Sequence, residues 1–131
     1  MVLPRFVEAA LAHEPLRVYG TGEQTRCFGH VSDVVDALVR LMQSDATAGQ
    51  VYNIGGTDEV SINTLAARVI ELAGSKSRIE HLSYESAYGE KFDDLPRRVP
   101  SLAKIQSAIG YEPRYSLDQI IRSVIDERRG T

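Results

Sequence analysis

Between Ser61 and Gly74 the apolar side chains Ile62, Leu65, Ala66, Val69, Ile70 and Ala73 recur at helical spacing, and this stripe constrains the fold more than any other feature of the chain. A stripe of that width has to be buried against another element. Ser61 is placed to cap the helix, and Gly74 to close it in the left-handed conformation. A second segment repeats the pattern after Ser32, which is placed as an N-cap. Here Val34, Val35, Leu38, Leu41 and Met42 line a helix over 33–44, with Asp33 near its positive pole. Between and beside these helices lie short extended pieces. They are "LRVYG", "TRCFGHV", an apolar strand over 51–54 in "GQVYNIGG", and "SRIEHL", which reads as an edge strand. Helices interleaved with short strands give the α/β class.

The rest of the chain follows the same logic. Residues 4–13 predict a helix with Phe6, Val7, Ala10 and Leu11 on one face, ended by Pro15. Ser101 is placed to cap a short helix over 102–109 that Gly110 closes. Ser116 and Gln119 form a capping box for a last helix over 117–128, and Arg128 and Arg129 suit its negative pole. Residues 83–101 show no sustained period, and irregular stretches of this length are usually functional or disordered. With 131 residues the chain suits one domain, 1–131, burying roughly two-thirds of its unfolded surface.

A net charge of −3 without a basic stripe points away from nucleic acid and from membrane surfaces as partners. Cys27 is the only cysteine, so no intrachain disulfide forms, and a reducing cytoplasm is expected. The opening segment lacks the long apolar run and small-residue cleavage site of a signal peptide. His13, His30 and His81 are too scattered for a metal motif; His30 reads as structural, at a strand-to-helix junction. Cys27 reads as a small buried hydrophobe, and Asp93 and Asp94 as acids facing water. Twelve of the fifteen cationic residues are arginine, the side chain favoured where a planar fork grips phosphate or carboxylate.

Gly20-x-Gly22-x-x-Thr25 looks at first like a dinucleotide-binding loop. That fingerprint needs a third glycine and a helix directly after it. Here the third position is threonine, and an extended piece follows. No cofactor loop is expected in this segment.

Five stretches occur in an order that resembles a known family: "LPRFVEAALAHEPLRVYG", "VYGTGEQTRCFGHVSDVVDAL", "VYNIGG" before a Ser-capped helix, "DDLPRRVP" and "IGYEP". The chain resembles the extended short-chain dehydrogenase/reductases, the nucleotide-sugar epimerases, dehydratases and decarboxylases, along essentially its whole length. The resemblance implies that Arg26, of "Q-T-R", and Arg98, before "x-P", grip the diphosphate of a UDP- or dTDP-sugar, with Arg97 the less favoured of its pair. It also implies that Asn53 lies near the nucleotide and that Gln24 and Tyr19 neighbour its ribose or base. Where the family often has Asp after "R-x-P", this chain has Ser101.

The family's hydride chemistry uses NAD and a Tyr-x-x-x-Lys pair. The residues four beyond the six tyrosines are Glu23, Gly56, Tyr88, Phe92, Tyr115 and Gln119, none of them lysine. The chain therefore resembles only the family's C-terminal, substrate-binding portion. It is expected to bind no NAD by itself and to be catalytically inert alone, the cofactor belonging to a parent enzyme. In the family, the segments matching 33–44 and 51–54 complete a Rossmann-type domain. An exposed apolar patch around Val35, Leu38, Val39 and Met42, covered by self-association or by rearranged contacts, follows from that likeness. A non-catalytic interaction or regulatory module that kept the fold is the alternative.

Overall fold

The Ser61 helix lies at the centre of the molecule, as its stripe requires. The computed structural model describes residues 1–85 and 94–130. Along the chain run α1 (Val2–Leu11), β1 (Leu16–Tyr19), β2 (Thr25–Cys27), α2 (Val31–Met42), a 3-10 turn (Asp45–Thr47), β3 (Glu59–Ser61), α3 (Ile62–Ala73), β4 (Ile79–Leu82), β5 (Arg97–Arg98), α4 (Ala103–Ile109) and α5 (Leu117–Gly130). Leu65, Ala66 and Val69 of α3 pack with Phe6, Val7 and Ala10 of α1, Leu16 and Val18 of β1, and Ile121 and Ile125 of α5. Both ends of α3 are as expected. Ser61 Oγ accepts the Thr64 amide at 3.1 Å, and Gly74 closes the helix at φ +62°.

Two small sheets flank this core. β1 pairs in parallel with β4, an arrangement that a strand-helix-strand crossover permits. β2 is central in the other sheet, antiparallel to β3 and parallel to β5. Among the described residues no helix is long and apolar enough to cross a membrane.

Several local expectations are corrected. Ser32 is not the cap of α2. The helix starts at Val31, and His30 Nδ1 accepts the Ser32 amide at 3.1 Å. The imidazole can do this because it is held flat against Tyr115, ring centroids 3.8 Å apart. Residues 51–54 form no strand. Tyr52 and Ile54 pack instead into a second cluster with Ala37, Leu102, Ile105 and Tyr111. Side chains take up the backbone of this stretch: Lys104 Nζ donates to the Val51 carbonyl at 2.8 Å, and the Tyr111 hydroxyl to that of Gly55 at 2.7 Å. Leu102, not Ser101, is the N-cap of α4, without a side-chain capping bond. The capping box of α5 forms as read, Ser116 and Gln119 exchanging side-chain-to-amide bonds.

Asp33 does more than face a helix dipole. Its side chain is 2 % exposed, and its carboxylate accepts the backbone amides of Arg114 and Tyr115 at 3.0 and 3.3 Å and Arg114 Nε at 3.1 Å. This fixes the turn after α4 against the first turn of α2. The bond to Asp33 holds the Arg114 guanidinium above its ordinary pKa. The opposite face of α2 is bare: Val35, Leu38, Val39 and Met42 are exposed, with Met42 at 87 %, as the sequence leads one to expect.

Candidate functional site

Strand register brings two distant arginines together. In the parallel pair β2–β5, Thr25 is opposite Arg97 and Arg26 opposite Arg98. Side chains alternate across a strand, so Arg26 and Arg98 emerge as neighbours on one face, and Thr25 and Arg97 on the other. On that other face Arg97 forks onto Glu59, Nε to Oε1 at 2.8 Å and a terminal nitrogen to Oε2 at 3.1 Å, while Thr25 donates to Oε1 at 2.8 Å. The Arg97 bond, then the Thr25 bond, hold the Glu59 carboxyl below its usual range. Cys27, on the same strand, is half-buried rather than fully buried, and burial pushes its thiol up.

Arg26 and Arg98 open into a hollow of about 440 Å³, which Tyr19 and Gln24 also line. Four of the five residues singled out in the sequence thus meet. Asn53 does not line the hollow; it is exposed, in the loop before Gly55.

The hollow also contains residues that sequence reasoning missed: Arg5 from α1, Arg17 from β1, Tyr84 and Asp94. Arg17 had a readable signal, since it stands two residues before Tyr19 on β1 and so shares its face. Asp94 does not simply face water, which corrects the expectation for it, while Asp93 lies outside the described residues. Asp94 Oδ1 accepts from Arg26 Nη2 at 2.6 Å. Its Oδ2 accepts from the Tyr84 hydroxyl at 3.2 Å. Gln24 Nε2 donates to the Tyr84 hydroxyl at 2.9 Å and to the Tyr19 carbonyl at 3.2 Å. The other terminal nitrogen of Arg26 donates to the carbonyls of Thr25 and Leu95 at 2.6 and 2.9 Å. The Tyr84 ring passes over the turn between β1 and β2. Gly20, at φ +74°, admits it, because a Cβ there would lie 2.5 Å from the ring.

Four arginines and one carboxylate among the described residues line the hollow, with Phe6, Tyr19 and Tyr84 as its aromatic wall. Among the described residues, the guanidinium groups of Arg5, Arg17 and Arg98 have no hydrogen-bond or ion-pair partner, and forked guanidinium groups suit phosphate oxygens. The Gly20–Gly22 turn is not built as a dinucleotide cradle. It leads into β2, with no helix N-terminus behind it to meet a pyrophosphate. No group of three or more His, Cys, Asp or Glu side chains among the described residues is placed to hold a metal ion.

Comparison with known proteins bears on this geometry. The family described as GDP-mannose 4,6 dehydratase matches residues 1–124. UDP-N-acetyl-alpha-D-glucosaminuronate decarboxylase of Bacillus cytotoxicus is 39 % identical over 124 residues, covering 95 % of this chain and 38 % of that protein. UDP-glucuronic acid decarboxylase 1 of Xenopus tropicalis is also 39 % identical over 124 residues, with 95 % of this chain and 28 % of that protein covered. Among solved structures, the UDP-glucose 4-epimerase of Thermotoga maritima with UDP-glucose superposes with a TM-score of 0.86 at 24 % identity, over 99 % of this chain and 40 % of that one. The dTDP-glucose 4,6-dehydratase of Bacillus anthracis in complex with NAD gives 0.83 at 25 % identity, over 100 % and 40 %. The chain spans two-fifths or less of the length of each of these proteins. With a family match across residues 1–124 and a shared fold, the chain belongs to the GDP-mannose 4,6 dehydratase family, within the extended short-chain dehydrogenase/reductases.

Proposed function

We propose that this chain supplies the nucleotide-sugar-binding portion, 1–131, of an NAD-dependent epimerase, dehydratase or decarboxylase, and that Arg26 and Arg98 grip the diphosphate of a UDP- or dTDP-sugar. The observation that carries this reading is the β2–β5 register, which makes the two guanidinium groups neighbours at one hollow. Tyr19 and Gln24 neighbour the ribose or base. Asn53 is left out of the binding set because it does not line the hollow. The UDP-uronate decarboxylases among the relatives support a UDP-sugar as ligand. NAD, which the family uses, would supply hydride transfer in the parent enzyme; the Gly20–Gly22 turn of this chain does not fit its pyrophosphate, and the part of the residues at the hollow is to bind and orient the substrate.

Calorimetric titration of the chain with UDP tests the reading. Saturable binding is expected, and no heat with either UDP or dTDP would overturn it.

The bare face of α2 fits the same picture. In the parent enzyme it would complete the cofactor domain, and in the isolated chain Val35, Leu38, Val39 and Met42 would drive self-association. Light scattering is expected to give a mass above that of one chain, rising with concentration. A monomer at every concentration would count against it.

A further inference from the structure

Asp94 is the only acidic side chain lining the hollow among the described residues. Its position is chemically specific. Both terminal nitrogens of Arg26 are engaged, one by the carbonyls of Thr25 and Leu95, the other by Asp94 Oδ1 at 2.6 Å. The edge of the guanidinium made by Nη2 and Nε is the one left to fork onto a phosphate, and Asp94 already sits on Nη2. The pair is largely shielded, with side-chain exposures of 17 % and 19 %, so water screens it weakly. The sheet register also sets Arg26 directly beside Arg98, and like charges opposite one another across a strand pair are unfavourable. A carboxylate on Arg26 offsets that repulsion when no ligand is bound. The Tyr84 hydroxyl, itself held by Gln24, anchors the second oxygen of this carboxylate.

We infer that Asp94 is a built-in counter-anion of the site: its carboxylate takes the place on Arg26 that a ligand phosphate needs, and competes with that phosphate. The inference rests on the nucleotide-diphosphate reading above. Two consequences follow. Binding has to displace or share Asp94, so affinity is held below what the arginines alone would give. A ligand without phosphate does not compete with Asp94 and is indifferent to it.

The test is calorimetric titration of the chain and of Asp94→Asn with UDP and with inorganic pyrophosphate. Asp94→Asn is expected to tighten both by at least about ten-fold, because a like charge a few ångströms from the phosphate is removed from a site that water screens weakly. Asp94→Ala is expected to act in the same direction, and Asp94→Glu to restore the original affinity. The melting temperature of ligand-free Asp94→Asn should fall, because Arg26 loses its ion pair and keeps at most a neutral acceptor, so tighter binding would not reflect a generally more stable protein. If the wild type binds UDP and Asp94→Asn binds it equally or more weakly, the counter-anion is wrong and the proposed function stands. If neither protein binds UDP or pyrophosphate, both fall.

Discussion

Alanine at both Arg26 and Arg98 will weaken UDP binding by about 100-fold or more in calorimetric titration, since each forked guanidinium–phosphate contact contributes about 1.5–3 kcal/mol. The single replacements should differ. Arg98 has no side-chain partner among the described residues, so Arg98→Ala removes a cation and leaves nothing unpaired; about a ten-fold loss is expected. Arg26→Ala also strips Asp94 of its ion pair and leaves a lone carboxylate facing the incoming phosphate. Its loss should be the larger. Arg97→Ala is the control, because that guanidinium is spent on Glu59 across the sheet, and its affinity should equal that of the wild type. Equal losses for Arg97→Ala and Arg98→Ala would contradict the facing described above.

Asp33→Ala is expected to cost about 3 kcal/mol of folding stability, which for a domain of this size lowers the melting temperature by roughly 10 °C. Two backbone amides, of Arg114 and Tyr115, lose their acceptor at once, and the vacated space lies in the interior. Asp33→Asn should fall in between, since the amide keeps one acceptor oxygen but turns its NH2 toward a donor. Arg114→Ala should scarcely move the melting temperature, because its guanidinium is 62 % exposed and water replaces the contact. Differential scanning calorimetry separates these variants. A melting temperature for Asp33→Ala like that of Arg114→Ala would show that the amide bonds contribute little.

What could be read from the sequence was local. The ends of α3 were legible because Ser61 caps through an amide three residues on, and Gly74 supplies the left-handed turn that few other residues accept. The bare face of α2 was legible from the likeness to a longer protein, and its spacing put Val35, Leu38, Val39 and Met42 together. What depends on distant pairing was hidden. β5 is two residues long and has no period of its own; it becomes a strand only because β2 offers its edge. Asp94 looked like half of a solvated pair, since its partner Arg26 is 68 positions away. The cap of α2 is hidden for a similar reason: His30, stacked on Tyr115 far along the chain, takes the role that local spacing gives to Ser32. Within the site, family likeness separated Arg98 from Arg97, which composition cannot do. Arg5 was hidden, because nothing local sets α1 against the hollow, whereas the spacing of Arg17 from Tyr19 on β1 carried a signal.

With only two paired residues in β5, the make-up of the hollow hangs on register alone. A slip of one residue against β2 would exchange which of two chemically identical side chains lines the hollow, turning Arg98 out toward Glu59 and Arg97 in.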